Sequence, residues 1–531
     1  MTWLGTIPAM RHERHLDGRV VRCFGVRPAS FNALLADALG RNPGGEALVC
    51  GTMRLDYRRL DAIAGSAAGG LARLGIGKGD RVALLIANSA EFVIALLAIV
   101  RIGAIAVPLN VREGTRELAY VLADCGAVAL IHDATLASSI PPAFATPALA
   151  TRVTVGGARH GAGALAWEDL LGGAAIEPCP VGEEDIAAIL YTSGTTGRPK
   201  GAMITHLGLV HAAMIYEACM DLGPVDRSIA TVPLSHVTGL TAGIAAMLRA
   251  GGTLVVMPQF RADAFLALAA AERMTHTVMV PAMYNLCLLS PAFGTADLSK
   301  WRIGGYGGAP MPAVTIERLA QRLPRLQLFN AYGSTETTGP VVLMPPSETA
   351  RRATAVGMAT PPAEILVMDE NGCEAPTGES GEIWLKAPNV VAGYWGNPEA
   401  SAESIVAGYW RSGDIGRIDG DGFLTLLDRA KDLVNRGGYK VYSVEVENVI
   451  AAHPSVVEAA VVARPCPVLG ERVHAFVSAR DGFADADAIR VHAAQALADY
   501  KVPEAITFLA DPLPRNANGK ILKRELRARL G

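Results

Sequence analysis

The run Tyr191-Thr-Ser-Gly-Thr-Thr-Gly-Arg-Pro-Lys-Gly201 follows Ile186-Ala-Ala-Ile-Leu-Tyr191, and this junction decides how the chain is read. The apolar stretch has the length and composition of a buried strand. The run after it holds four small hydroxyl residues, three glycines and one lysine. Glycines let a backbone turn tightly and bring N–H groups close to anionic oxygens. Thr192, Ser193, Thr195 and Thr196 add hydroxyl donors, and Lys200 adds a point charge. A strand ending in such a loop suits phosphate. It is not the common G-x-x-x-x-G-K-[ST] loop, because Pro199 precedes Lys200 and Gly201 follows it. Taken alone, the run also fits a Gly/Ser/Thr loop with no ligand.

Outward from this junction the chain alternates. Val82–Ile86, Ala104–Pro108, Val128–Ile131, Ile229–Val232 and Thr253–Val256 read as strands. Helical patterns at Glu91–Arg101, Glu117–Asp124 and Leu240–Arg249 lie between them. Alternation of this kind predicts parallel sheets covered by helices, with ligands beyond the carboxyl ends of the strands. From about 355 to 427 short β-rich runs such as Glu364–Met368 and Gly381–Leu385 predict a small β-barrel. A last α+β unit follows, with helices expected at Val444–Ala452 and Ala488–Ala498 and strands at Ala459–Val462 and Val473–Val477. Asp487 is placed to cap the second of these helices.

The chain has 531 residues, 50% of them hydrophobic, and a formal charge of −3. That length implies more than one domain. The charge gives no sign of a nucleic-acid surface. Eight cysteines without C-x-x-C spacing indicate neither a zinc site nor a disulfide framework, which suits a cytoplasmic protein. Arg11, His12, Glu13 and Arg14 stand where a signal peptide needs an apolar core. The stretch Phe92–Val100 is about half a membrane span, so no transmembrane segment is expected.

Four more motifs lie downstream: Tyr332-Gly-Ser-Thr-Glu336; Trp410-Arg-Ser-Gly-Asp414; Asp428-Arg-Ala-Lys-Asp432 with Arg436-Gly-Gly-Tyr439; and Pro514-Arg-Asn-Ala-Asn-Gly-Lys520. In this order and spacing, with the Tyr191 run, the chain resembles the adenylate-forming superfamily of acyl- and aryl-CoA synthetases, nonribosomal-peptide adenylation domains and luciferases. The resemblance runs from about Phe31 to the C-terminus. It implies an α/β fold: a large N-terminal domain (1–430) of two doubly wound subdomains plus the small barrel, and a smaller mobile α+β C-terminal domain (431–531) pivoting at Lys431. It implies ATP, Mg2+ and coenzyme A as cofactors and a carboxylic acid as substrate. A homodimer is left open.

The resemblance also assigns roles. Thr192, Ser193, Gly194, Thr195, Thr196, Gly197 and Lys200 would meet phosphate, with Thr195 and Glu336 near Mg2+. Gly308, Ala309, Pro310, Asn330, Ala331, Tyr332, Gly333, Ser334 and Thr335 would surround the nucleotide, Tyr332 against adenine. A carboxylate suits a vicinal diol, so Asp414 is matched to the ribose hydroxyls and Arg429 to ribose or phosphate. Lys520 would bridge carboxylate and α-phosphate, then leave as the C-terminal domain turns. Gly437, Gly438 and Tyr439 would line the passage for CoA. His236 would stand beside the acyl carbonyl, where a lone histidine is otherwise structural.

The acyl slot implied by the resemblance involves His236, Val237, Thr238, Gly239, Tyr306, Gly307, Ala331, Gly333, Thr338 and Gly339. None is an acid, a lysine or an arginine, which predicts an uncharged acyl group larger than acetate, fatty or aryl. Tyr306 is expected to cap or narrow the slot. Ser443 departs from the family, which often has proline there. Ser412 stands where threonine is common and keeps the hydroxyl. The implied activity is an AMP-forming acid–CoA ligase. The alternatives are an enzyme that loads a carrier-protein phosphopantetheine, a luciferase-like oxygenase, and a ligand-binding homologue without catalysis.

Overall fold

The computed structural model describes residues 3–157, 164–192, 198–480, 483, 485–515 and 521–530. The chain divides into two compact units, Met1–Ile365 with Leu385–Trp410, and Leu366–Trp384 with Arg411–Gly531.

The first unit is built on two large sheets. One has seven strands, with Arg81–Leu85 at its centre between Ile105–Pro108 and Ala129–Asp133, all parallel. Ile186–Thr192 joins Ile105–Pro108 in parallel, and Lys200–Thr205 returns antiparallel at the edge. The other has nine strands. Its parallel centre runs Glu46–Cys50, Thr253–Val256, Arg227–Ala230, His276–Met279, Ile303–Gly307 and Gln327–Ser334. Antiparallel strands Met53–Asp56, Gly339–Leu343 and Met358–Ala359 close its edges.

Strand alternation sends neighbouring residues to opposite faces. The largest core cluster therefore takes Val82 and Leu84 from one sheet and Leu48, Leu254 and Phe329 from the other. Helices Phe31–Arg41, Tyr57–Arg73, Ala90–Arg101 and His206–Met220 fill the space between. This explains the apolar stretch at Phe92–Val100. Every residue of Ala90–Arg101 except Glu91 is buried, as a helix covered on all sides requires. Among the described residues no helix is long and apolar enough to cross a membrane. The outer faces carry separate cores, one under helix Thr115–Asp124 and one under helices Ala262–Ala271, Pro281–Leu289 and Ala313–Arg322.

The β-rich stretch expected as a barrel takes the form of a five-stranded sheet: Glu364–Met368, Gly381–Lys386, Tyr409–Ile418 and Ile405–Val406 in that order, with Leu424–Arg429 paired to Tyr409–Ile418 off that path. The C-terminal part of the second unit folds round the long hairpin Val456–Cys466 and Gly470–Ala479 with helices Ser443–Ala451 and Ala486–Ala494.

Two local expectations are corrected. The cap of Ala486–Ala494 is Asp485, whose carboxylate accepts from Ala488 N at 2.9 Å. Asp487 lies inside the first turn, paired with Arg490. Two aspartates two residues apart offer two starting points, and the helix takes the earlier one. The segment after His236 opens as a π-helix, Gly239–Ala245, and becomes α-helical only at Ala246–Ala250.

Candidate active site

The strand Ile186–Thr192 and its return Lys200–Thr205 pair up to Thr192 opposite Lys200. This fixes both ends of the run quoted first. Ser193, Gly194, Thr195, Thr196 and Gly197 lie outside the described residues. Helix Thr115–Asp124 grips the two ends: Tyr191 donates its hydroxyl to Asp124 at 2.6 Å, and Tyr120 donates to the Pro199 carbonyl at 3.2 Å.

Lys200 begins the return strand with its ammonium 5.1 Å from the centre of the Tyr394 ring. The Tyr394 hydroxyl donates to Glu336 Oε1 at 3.0 Å. Ser334 Oγ donates to the other Glu336 oxygen. Glu336 stands in the short 3-10 turn Thr335–Thr337, directly after strand Gln327–Ser334, and is 9% exposed. Burial, and then the adjoining carboxylate, hold the Tyr394 hydroxyl well above the usual phenol pKa. Tyr394 was not singled out in the sequence. The signal lay in Gly393-Tyr394-Trp395 ahead of Asn397-Pro398, a cap sequence whose helix Pro398–Ser404 turns Ser401 back onto Tyr394 N at 2.9 Å.

Thr338 closes the turn in the left-handed region, at φ 50°. A β-branched residue pays strain there, of order 1–3 kcal/mol. Neighbours hold it in place: Asn389 Nδ2 donates to Thr337 O at 2.7 Å and Val391 N to Glu336 O at 2.8 Å.

The register sorts the other expected residues by face. Gly307 pairs with Ala331, and Tyr306 with Asn330. Ala331 packs on the central core with Ile303 and Phe329. Tyr306 turns the opposite way, 3% exposed among Met279, Tyr284 and Trp301. It is not brought to the Gly307 face, and burial pushes its hydroxyl up to about 12. Asn330 shares its side of the sheet and is buried, and Tyr332, two residues on, is half-buried on that side. Gly307 and Gly333 have reasons of their own to be glycine. A Cβ there would sit 2.4 Å from Ala331 O and 2.2 Å from Gly339 O. Gly308, Ala309 and Pro310 follow the strand and are exposed.

His236 is solvent-accessible, yet enough protein surrounds its ring to lower its pKa by desolvation. Thr238 N donates to its Nδ1 at 3.3 Å, while Val237 and Gly239 turn inward. By contrast His206 and His211 are structural. Their neutral rings accept the backbone N–H of Phe31 and of Phe24, each at 3.2 Å, and burial lowers both to about 4.

In the second unit Asp414 and Arg429 are cross-strand partners, with Nε 3.4 Å from Oδ1. Ser412 Oγ donates to Ile383 O at 2.6 Å and receives Asp414 N at 3.0 Å, so the hydroxyl in place of threonine is in use. Burial lowers the pKa of Lys431. Gly437 and Gly438 form the two-residue turn between Arg436 and Tyr439, at φ 59° and 90°. That turn alone calls for glycine. Tyr439 is exposed and stacked on Tyr500 at 4.6 Å. Lys520 lies outside the described residues; Arg515 and Ile521 on either side of it pair with one another.

The profile of the AMP-binding enzyme family matches residues 35–395, and that of the AMP-binding enzyme C-terminal domain matches residues 445–520. The chain belongs to the AMP-binding enzymes. Feruloyl-CoA synthase from an Amycolatopsis species is 36% identical over 493 residues, which cover 92% of this chain and 97% of that protein. Long-chain-fatty-acid–CoA ligase FadD13 of Mycobacterium tuberculosis is 36% identical over 484 residues, covering 90% and 93%. The ATP-bound structure of MatB from Rhodopseudomonas palustris superposes with a TM-score of 0.86 at 33% identity, covering 94% and 99%. This AMP-binding enzyme is an AMP-forming ligase.

Proposed function

We propose that this AMP-binding enzyme is an ATP-dependent carboxylic acid–CoA ligase of the cytoplasm, working in two steps. In the first, the carboxylate oxygen attacks the α-phosphorus of ATP, forming acyl-AMP and releasing pyrophosphate. In the second, the CoA thiol attacks the acyl carbon, forming the thioester and releasing AMP. The observation that carries this reading is the group of Lys200, Tyr394 and Glu336 at the carboxyl ends of two strands. Two anions must meet in the first step, so positioning and charge neutralisation dominate.

Glu336 fits a resident Mg2+. It is a nearly buried hard-oxygen ligand, and among the described residues no lysine or arginine pairs with it. When bound, the ion would neutralise phosphate charge. Lys200 adds the fixed charge at the phosphates, with Thr192 and residues 193–197 round them. Asp414 takes the ribose hydroxyls and Arg429 lies beside them. Lys520 serves adenylation and, with Lys431 as pivot, gives way to Gly437, Gly438 and Tyr439 for CoA. These last roles rest on the sequence motifs.

The acyl group is read as uncharged and larger than acetate. His236, Val237, Thr238, Gly239, Gly307, Ala331, Gly333, Thr338 and Gly339 offer it no charge, and the relatives take feruloyl, long-chain fatty acyl and indoleacetyl groups by name. Pyrophosphate release from ATP and Mg2+, with and without CoA, tests the reading across acids from acetate to palmitate plus benzoate, cinnamate and ferulate. Turnover stimulated by CoA with one chain length or ring is the expected result. Release indifferent to CoA, with acyl-AMP accumulating, would instead mean a carrier-protein acceptor.

A further inference from the structure

Tyr394 touches both of the charged groups on which the first step depends. Its hydroxyl donates to Glu336 Oε1 at 3.0 Å while its ring lies 5.1 Å under the Lys200 ammonium. The backbone that carries it is fixed at both sides. Ala202 and Tyr394 form a bridge, Met203 N donates to Gly393 O at 3.1 Å, and Trp395 N to Gly201 O at 2.7 Å. Three residues upstream, Val391 N donates to Glu336 O at 2.8 Å. One short segment is thereby tied to the strand that starts at Lys200 and to the turn that holds Glu336.

A lysine and a glutamate sharing a poorly solvated space attract one another, and a direct ion pair would take both away from a ligand. An aliphatic residue between them would separate them without serving either. Tyrosine gives the ammonium a π face and the carboxylate a hydrogen-bond donor. We propose that Tyr394 is a positioning residue for adenylation: it aims the Glu336 carboxylate at the divalent cation, aims the Lys200 ammonium at the phosphates, and keeps the two from pairing. The inference rests on the roles proposed above for Lys200 and Glu336. The competing reading is a core tyrosine, since Tyr394 also belongs to the central apolar cluster.

Calorimetric titration of ATP into the full chain at a series of MgCl2 concentrations separates the two. Tyr394→Phe keeps the ring and loses the donor. It should raise the half-saturating Mg2+ concentration about tenfold while Mg2+-free ATP affinity stays within about twofold, as for loss of an outer partner of a metal ligand. Tyr394→Met keeps a long flexible side chain but neither ring nor hydroxyl. It should also weaken Mg2+-free ATP binding, and Glu336→Gln added to it should restore that binding by removing the competing carboxylate. A Tyr394→Phe variant with wild-type Mg2+ dependence, or a double variant that recovers nothing, overturns the proposal. Glu336→Gln alone tells the two failures apart. If it leaves Mg2+ dependence unchanged, the role of Glu336 falls and takes that of Tyr394 with it. If it changes Mg2+ dependence and Tyr394→Phe does not, only the role of Tyr394 falls.

Discussion

The candidate site in the first unit and the packing of the second unit treat charged side chains in opposite ways. At the site, the two charged groups are kept apart: Tyr394 stands between Lys200 and Glu336. In the second unit, opposite charges meet directly. Lys440 pairs with Glu370, Lys501 with Glu445, Lys523 with Glu447, and Arg436 and Arg472 share Glu504. Charge engaged by a partner within the fold is already spoken for, whereas charge held apart remains open to a ligand as anionic as a triphosphate. The lesson is that a lysine's neighbours, more than its position along the chain, separate a working cation from a structural one.

The largest expected effect tests that lesson inside the second unit. Lys520→Ala should slow acyl-AMP formation by about 100-fold or more, the usual loss when a charge-stabilising group is removed. CoA transfer to supplied acyl-AMP should be largely spared, and the melting temperature should not move. Lys523→Ala should do the converse, since it breaks a pair 2.7 Å long with the half-buried Glu447 while leaving pyrophosphate release intact. Equal loss of both half-reactions in Lys520→Ala would refute the two-state assignment. Loss of adenylation in Lys523→Ala would break the division between working and structural lysines.

Next in size is an acid effect concentrated in the first unit. His206 and His211 are lowered to about 4 by burial, against an ordinary value of 6.5. The unfolded chain therefore binds more protons between those limits. Stability is complete above pH 6.5 and is lost as pH falls toward 4, by at most about 3 kcal/mol per ring. Each proton also removes an acceptor from Phe24 N or Phe31 N. Amide exchange at those two residues, followed from pH 7 to 4.5, should accelerate before the helices of the second unit respond. Simultaneous acceleration everywhere would remove the contrast between the units.

Much of the first unit was legible because its periodicity is strong. The parallel strands and the buried helix Ala90–Arg101 follow from apolar runs that only a doubly covered element tolerates. What escaped the sequence is where the backbone makes a choice. The cap at Asp485 rather than Asp487 depends on which of two equivalent acids is reached first. The π-helical start at Gly239 has no mark in a pattern read at 3.6 residues per turn. Tyr306 was set beside Gly307, yet adjacent strand residues face opposite ways, and the register sends Tyr306 to the outer core. Tyr394 escaped because one aromatic between glycine and tryptophan reads as core, and only the fold shows Lys200 and Glu336 on either side of it.

A smaller effect concerns the direct ion pair that is itself expected to meet ligand. Asp414 and Arg429 are 3.4 Å apart, with Arg429 41% exposed, so the pair adds little stability. Asp414→Asn should leave the melting temperature unchanged and raise KM for ATP about 10- to 100-fold, as for loss of a hydrogen bond to a charged group. The diagnostic is 2′-deoxy-ATP. The wild type should prefer ATP over it, and Asp414→Asn should lose that preference. A variant that discriminates as before would move the ribose contact elsewhere.

The smallest effect explains a departure from the family. Ser443 opens helix Ser443–Ala451 at a position where proline suits a helix start. Here Asp428 is buried, and Ser443 donates to it twice, from backbone N–H and from Oγ, the latter at 3.0 Å. Lys523 in turn donates to Ser443 Oγ at 2.7 Å. Proline can supply neither bond. Ser443→Ala should destabilise the helix by about 1 kcal/mol and Ser443→Pro by about 2 kcal/mol, with one and then both donors lost. Exchange of the Ser443–Ala451 amides is the measurement, because it reads this helix apart from the first unit. If Ser443→Pro exchanges as slowly as the wild type, Asp428 is not the reason for the serine. If it exchanges faster and Asp428→Asn restores it, the serine is there to satisfy a buried acid, and the second unit's reliance on direct partners extends to its backbone.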